Sequence, residues 1–584
     1  MNKLAKTLLS PSENRLDYGN LLQPDIGYEV EFAVALTYSL DLEALLGVPM
    51  SLGLLENMDS NLKDIPMFLL EGIRKSSDKI AIFCNPGGIK LPQKIQSVYS
   101  LLENSVFEVK ANEISNFHPK MWFIKYSDDD GNAYIKIIVL SRNLTFDRSW
   151  DVSFAFTGRV GRHRSRTKNE NIPLKDMLEF VKVYANKDKK DKISDLQENI
   201  LDVKEFELDS PFESYEFMPI GIPGYKGNDL DLFNTHNELL VVSPFLSDDI
   251  IERFEQSSRY TRKIITRRSS ITNKTLDAFN NGVYAMKDII VDGGDEESIE
   301  QWQKQDIHGK LYFESGYDGN FLYLGSANAS HNAFYNNVEF LIKLKFKART
   351  MSYQKFIGDF LPEEDNPFEL VTNVERNKKE EEQDIYSKQI KEIIWAIKDA
   401  RVISNGTNYD VQVNFKKLNP DIRGKIAPLM RNNSYKEIEE STTLEKLTIT
   451  QFSEFYVIKV GDKEVVVKIK TKDIPKDRDD KIYQSIIKSK DDFYAYVSFL
   501  LGDSYTESAY ELREYMESRS SSDGNSKLDD NAVIIYEKML QIIIDNPNKL
   551  KAIEAVMKRL DSDVVSEDFK KMYNTFILAA KKVK

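Results

Sequence analysis

"FHPKMWF" at residues 117–123 and "IHGKLYF" at 307–313 share one frame: His, a spacer, Lys, then apolar and aromatic residues. The chain has 584 residues but only five histidines, His118, His163, His236, His308 and His331. Two of the five therefore sit in the same local context. In a strand, residues i and i+2 point the same way, so His-x-Lys places an imidazole beside an ammonium on one face.

The residues after each stretch also match. "SDDDGN" (127–132) and "SGYDGN" (315–320) are turn-forming sets between strand-like runs and read as hairpin connections. Each hairpin leads to a polar turn holding an asparagine, Asn143 in "SRNLT" and Asn328 in "GSANAS". The His-to-Asn gaps are 25 and 20 residues, a difference that hairpin length can absorb. Upstream, "EVEFAVALTYSL" (29–40) and "ELLVVSPFLSDDIIERF" (238–254) both begin as strands that end in polar turns. A repeat of 190 residues, the spacing of His118 and His308, is a whole domain long. Strands alternating with helical patterns in each copy predict an α/β fold with a parallel or mixed sheet.

His, Lys and Asn together suit the holding and attack of a phosphate. Lysine supplies fixed positive charge and asparagine a neutral donor. The imidazole serves as nucleophile or proton donor near neutral pH.

Composition bounds the alternatives. With 41% hydrophobic and 30% charged residues, the chain is globular rather than disordered. Its one cysteine, Cys84 in the strand-like "KIAIFC", excludes an intrachain disulfide and a thiolate metal cluster. No His or carboxylate cluster has metal-ligand spacing, so no metal and no cofactor is expected. No run approaches the roughly 18–20 apolar residues of a membrane span, and the N-terminal segment lacks the parts of a signal peptide. A cytoplasmic protein without membrane contact is the expectation. The net charge of −13 confines any polyanion binding to local basic patches. Two such patches exist, Arg159, Arg162, Arg164 and Arg166 after the first Asn turn, and a second containing Arg267 and Arg268.

The doubled His-x-Lys…Asn pattern resembles the phospholipase D superfamily, which includes phosphodiesterases, nucleases and lipid-processing enzymes. The resemblance spans residues 25–345, and "TYSLD" (37–41) and "SPFLSD" (243–248) look like the first-strand exits of the family's two halves. In the full family motif an Asp follows the Lys after four intervening residues. Lys125 and Ser315 stand there instead. That departure resembles the tyrosyl-DNA phosphodiesterase and nuclease-like branch. The resemblance implies two pseudo-symmetric α/β/α halves sharing one site, followed here by an α+β C-terminal region. It implies a two-step mechanism without metal, in which one histidine attacks phosphorus and the other protonates the leaving oxygen. Lys120, Lys310, Asn143 and Asn328 would hold the phosphoryl oxygens. By family analogy His118 is the nucleophile and His308 the acid/base, with the reverse assignment a fair competitor.

A family carboxylate or amide that orients an active-site imidazole corresponds to Glu339, eleven residues after Asn328. The same offset in the first copy is Phe154, which leaves Asp151 and Ser153 as its nearest substitutes. Ser141 and Ser326 are further candidates for orienting roles. On this reading the first copy is the weaker half.

The expected organisation is an N-terminal extension (1–24), a first half (25–180), a linker or helix (181–204) and a second half (205–348). An α+β region (349–517), a Ser-rich linker (518–531) and a helical segment (532–584) follow. The favoured function is a nuclease acting on DNA, or RNA, through a phosphohistidine. A setting in bacterial defence or restriction, beside a helicase or ATPase partner, follows by analogy alone. The alternatives are a phospholipid hydrolase or transferase, and a nucleic-acid-binding assembly subunit with an idle site. Both half-sites lie in one chain, so dimerisation is not needed to complete the site, and the oligomeric state stays open.

Overall fold

The computed structural model describes residues 21–46, 48, 52, 65–145, 149–161, 170–287, 306–347, 349–362, 366–374, 380–502, 512, 535–542 and 548–583. The chain forms two compact units. One comprises Met1–Ala44, Lys79–Lys90 and Ser105–Trp395, and the other Leu45–Asp78, Leu91–Asn104 and Ala396–Lys584. The Ser-rich stretch 518–531 lies outside the described residues.

The first unit is α/β and, among the described residues, is built on two large sheets. Its first sheet is built from β1 (Glu29–Thr37), β2 (Ile80–Cys84), β3 (Val106–Glu108), β4 (Met121–Ser127), β5 (Ala133–Leu140) and β6 (Ser153–Arg159). The order is β3-β2-β1-β4-β5-β6, with β1, β2 and β3 parallel and the β1-β4-β5-β6 run antiparallel. Helices α1 (Ile172–Lys182) and α2 (Lys187–Leu201) connect it to the second sheet. The charged segment around 185–199 is thus a packed helix and not a free linker. Asn186 caps it by accepting from the Lys189 N–H at 3.0 Å, and Ile193, Leu196 and Ile200 form its buried stripe.

The second sheet contains β7 (Phe212–Ile220), β8 (His236–Val242), β9 (Ser258–Thr266), β10 (Val283–Met286), β11 (Leu311–Gly316), β12 (Gly319–Gly325), β13 (Glu339–Phe346) and β14 (Phe368–Leu370). Within it the order β10-β9-β8-β11-β12-β13 reproduces the first sheet strand for strand, in both sequence order and direction. β7 and β14 are added at the two edges. Helices α3 (Asp248–Ser257) and α4 (Asn273–Phe279) cover the outer face through Ile250, Ile251, Phe254, Ala278 and Phe279.

One continuous core joins the two sheets. Ile137, Val139 and Phe156 of the first belong to the same buried cluster as Leu322, Leu324, Phe340 and Ile342 of the second. Burial on both faces explains why β4 reads as an almost unbroken apolar run rather than an alternating one. Each fully buried Leu, Ile or Phe contributes about 1.5–3 kcal/mol, so this shared core fixes one sheet against the other.

Both predicted hairpins are present, β4–β5 and β11–β12. In the first turn the Asp128 carboxylate accepts from Asn132 N and Nδ2 at 2.7 and 2.8 Å. The five extra residues of the first copy divide as three in this turn and one in each strand.

The second unit, taken by itself, mixes strands and helices. Strands Ile397–Asn405, Asn408–Phe415 and Ser441–Leu447 pair antiparallel, as do Lys425–Pro428, Phe455–Val460 and Lys463–Lys468. Helices Pro66–Ser76, Arg478–Ile486, Lys490–Leu501, Asn548–Met557 and Glu567–Val583 also belong to it. Its buried Glu71 is well paired, receiving two bonds from Arg74 at 2.6 and 2.7 Å and one from Tyr496 Oη at 3.0 Å.

Candidate active site

The sequence predicts His-x-Lys within strands, but the structure places both pairs in the extended lead-ins just before β4 and β11. The reason lies in their backbone partners. His118 donates its N–H to Val338 O at 2.9 Å, and His308 donates its own to Trp150 O at 3.0 Å. Val338 immediately precedes Glu339, and Trp150 immediately precedes Asp151. Each histidine is therefore hydrogen-bonded through its main chain to the opposite half. Ser149–Trp150 and Asp306–Ile307 pair in parallel, and Phe117 bridges Val338 in parallel.

The side chains follow the same crossing. His118 Nδ1 lies 2.8 Å from Glu339 Oε2, and His308 Nδ1 lies 3.4 Å from Asp151 Oδ1. His308 Nδ1 is also 3.1 Å from Ser141 O. Each carboxylate is held by the serine on the neighbouring strand exit: Ser326 Oγ donates to Glu339 at 2.5 Å, and Ser141 Oγ donates to Asp151 at 2.9 Å. The two serines also accept equivalent backbone N–H groups, Phe340 and Val152, each at 2.9 Å. Asp151 is thus the counterpart of Glu339. Counting from the asparagine misses this because the loop between serine and carboxylate is three residues shorter in the first half. The expectation that the first half alone suffers from a weaker carboxylate is corrected as well: Asp151 serves the histidine of the second half, and Glu339 serves that of the first.

The lysines lie beneath the histidines, and both are 1% exposed. Lys120 Nζ is 2.9 Å from His118 Nε2 and 3.0 Å from His118 O, and Lys310 donates to His308 O. With Nδ1–H directed at Glu339, His118 Nε2 carries the lone pair and accepts from Lys120. Burial pushes the His118 pKa down to about 4, opposed by Glu339 and assisted by Lys120 and Lys310. Burial, then Lys310, lowers His308, with Asp151 opposing and Lys120 assisting. Lys120 is lowered well below the usual lysine range by burial and then by Lys310. Charges of one half therefore act on groups of the other, and the two His-Lys pairs converge on one locus. A concentration of buried positive groups with depressed pKa values is arranged to receive an anion.

Asn143 and Asn328 occupy matching strand exits. Leu144 N–H donates to Thr37 Oγ1 at 3.0 Å, and Ala329 N–H donates to Ser243 Oγ at 2.9 Å. Thr37 and Ser243 in turn donate to Ser39 O and Phe245 O, both at 2.8 Å, so "TYSLD" and "SPFLSD" are structural equivalents. Asn143 Oδ1 is 3.4 Å from Ser39 N, while Asn328 is 8% exposed.

Of the remaining sequence candidates, Arg159 ends β6 and is exposed, whereas Arg162, Arg164 and Arg166 lie outside the described residues. Arg267 places its guanidinium 4.7 Å from the centre of the Phe245 ring, and Arg268 pairs with Glu369 of β14. Ser153 begins β6, beyond Asp151.

Sequence reasoning missed Tyr38, whose ring lies 5.0 Å from that of His118 and 5.8 Å from Lys120 Nζ. Its place in the first-strand exit was the available signal. It also missed Asn337, which donates to Glu339 Oε1 at 3.2 Å and accepts from Asn116 N–H at 3.1 Å.

No protein-family model matches the chain, and no curated protein matches it. Among solved structures, yeast tyrosyl-DNA phosphodiesterase is similar at 14% identity over 54% of this chain and 84% of that one, with a TM-score of 0.33. Polyphosphate kinase from Porphyromonas gingivalis is similar at 9% identity over 55% and 41%, with a TM-score of 0.26. NucT from Helicobacter pylori is similar at 19% identity over 23% and 86%, with a TM-score of 0.18.

Proposed function

We propose that this protein is a phosphodiesterase of the phospholipase D type that cleaves nucleic acid, DNA in preference to RNA, through a phosphohistidine. The observation that carries the reading is the crossed arrangement: the carboxylate of each half orients the histidine of the other, so neither half makes a site alone.

His118 Nε2, holding its lone pair and oriented by Glu339, attacks phosphorus. The bond from phosphorus to the leaving oxygen breaks, and that oxygen takes a proton from protonated His308. Water then attacks phosphorus, breaking its bond to nitrogen, and gives its proton to the now neutral His308. His118 is released neutral, leaving an alcohol and a phosphomonoester. Two displacements with a covalent intermediate replace one difficult step. His308 is depressed in the empty site, and the negative charge of a bound diester raises it toward the protonated form that the first step needs. Lys120 and Lys310 stabilise charge developing on the phosphoryl oxygens from inside the protein, where such interactions are strongest, and Asn143 and Asn328 donate beside them. The mechanism draws its positive charge from these side chains and assigns no step to a metal.

By fold-level analogy we assign the enzyme to a defence or restriction setting beside a helicase or ATPase. The test of the reaction is incubation in EDTA with labelled single- and double-stranded DNA, RNA and phospholipid. Cleavage of nucleic acid that survives EDTA and is lost in His118→Ala and His308→Ala is the expected result. A phosphoenzyme trapped on a denaturing gel in His308→Ala but absent in His118→Ala assigns the nucleophile. Strict dependence on added magnesium, or turnover of lipid alone, would overturn the reading.

A further inference from the structure

We propose that the rim of the second half carries a base-stacking platform, centred on Phe245, that receives an unpaired nucleobase and makes single-stranded nucleic acid the preferred substrate. The proposal rests on the phosphodiesterase reading and names the substrate class of that site.

Phe245 is a large apolar ring left 47% exposed on the first-strand exit of the second half. Its loop is tied to the Asn328 turn: Leu246 bridges Ala329 in parallel, and Ser247 N–H donates to Ala329 O at 3.0 Å. The loop is also braced from behind, with Ser270 Oγ donating to Pro244 O at 2.7 Å. The ring is therefore held in place rather than left on a loose segment. The Arg267 guanidinium lies 4.7 Å from its centre, which puts a cation and an aromatic face together at the edge of a phosphate site. That combination stacks a base while attracting its backbone, and it is indifferent to which base is offered.

A second stacked pair continues the rim. His331 and Tyr335 lie 4.5 Å apart with an interplanar angle of 11°, and Tyr335 is 46% exposed. His331 N–H donates to Ser247 Oγ at 2.7 Å, so this pair shares the Phe245 loop.

Among the described residues, the first half has no such surface. Ser39 stands at the position of Phe245, and Asn85 stands at that of Arg267, where its Oδ1 accepts from Phe117 N–H at 2.9 Å. The aromatic of the first-half exit, Tyr38, turns instead toward His118. The asymmetry runs the strand across the second half. A base paired in a duplex cannot offer its face to a ring on the rim, which is why the occupant is single-stranded.

The test measures binding of the full chain by fluorescence anisotropy to a labelled single strand, to the same strand with abasic sites, and to its duplex. The wild type is expected to prefer the intact strand over both, and Phe245→Ala to lose about tenfold in affinity for it, the range of one stacked base. Phe245→Trp should restore the affinity, which separates stacking from folding defects. Equal binding of intact and abasic strands by the wild type, or an unchanged affinity in Phe245→Ala, would overturn the proposal. Hydrolysis of bis(p-nitrophenyl) phosphate by the wild type, which involves no base, tests the phosphodiesterase reading separately. Its failure with base-dependent binding intact would remove that reading and leave the platform.

Discussion

Glu339, in the second half, is hydrogen-bonded to His118, in the first, at 2.8 Å across 221 positions of sequence. The pairing specifies which residues are energetically coupled. Double-mutant cycles on stability are expected to give an interaction of about 0.5–3 kcal/mol for His118–Glu339, and none for His308–Glu339. In activity, Glu339→Gln should lose about 10²–10⁴-fold, the scale of a misdirected acid–base group, with phosphoenzyme formation as the step that slows. Coupling of Glu339 to His308 instead would contradict the crossing.

The two supporting serines should not be equivalent. Glu339 has a fully buried side chain, whereas that of Asp151 retains 15% exposure. Ser326→Ala removes a donor from a carboxylate that water does not reach, at a cost of about 1–3 kcal/mol in denaturant unfolding. Ser141→Ala should cost less. The reverse order would show that burial does not set the difference.

Stability should depend on pH through the histidines. His118 falls from 6.5 to about 4 in the folded protein, so between these values the unfolded chain binds more protons. Its contribution is fully present above pH 6.5 and is lost as pH falls toward 4. His308 acts in the same direction. Unfolding midpoints measured from about pH 7.5 to about pH 4.5 should decline less steeply in His118→Gln than in the wild type. Parallel curves would refute the assignment.

Anion binding should take up protons. His118, His308 and Lys120 all have lowered pKa values without a bound anion, and a bound anion reverses part of each shift. Sulfate, whose own charge is constant near neutrality, should bind more tightly at about pH 6 than at about pH 8, by up to about tenfold per pH unit for one proton taken up. Calorimetry in buffers of different ionisation enthalpy would read the uptake directly, and no buffer dependence would refute it.

The spacer residue between His308 and Lys310 is also constrained. A Cβ at Gly309 would come within 2.5 Å of the Trp150 ring, which packs edge-on against Phe360 and Phe368. Gly309→Ala is expected to destabilise by about 1–3 kcal/mol, as overpacking does, and Trp150→Leu in the same chain should recover part of that loss. Thermal melts of the wild type and the two variants provide the check.

Much of the architecture was legible in the residues themselves. The repeated His-x-Lys frame, the two hairpins with Asp-Gly-Asn turns and the paired Asn exits are local patterns, and local patterns are what side-chain periodicity and turn chemistry encode. They sufficed to anticipate an α/β fold and an internal repeat. Tertiary structure alone decided which carboxylate serves which histidine. That choice depends on main-chain pairing of His118 with Val338 and of His308 with Trp150, contacts made only when the shared core brings the sheets together. It also selected Asp151 over Ser153 as the counterpart of Glu339, a loop three residues shorter having moved the carboxylate in sequence without moving it in space. The inward turn of Tyr38 and the outward Phe245 were equally beyond reach, since two exits with the same hydroxyl-to-carbonyl hydrogen bonds carry rings in opposite directions. Sequence determined which groups the site contains, because chemistry resides in residue type. Packing determined how they are paired, because pairing is a property of two distant segments at once.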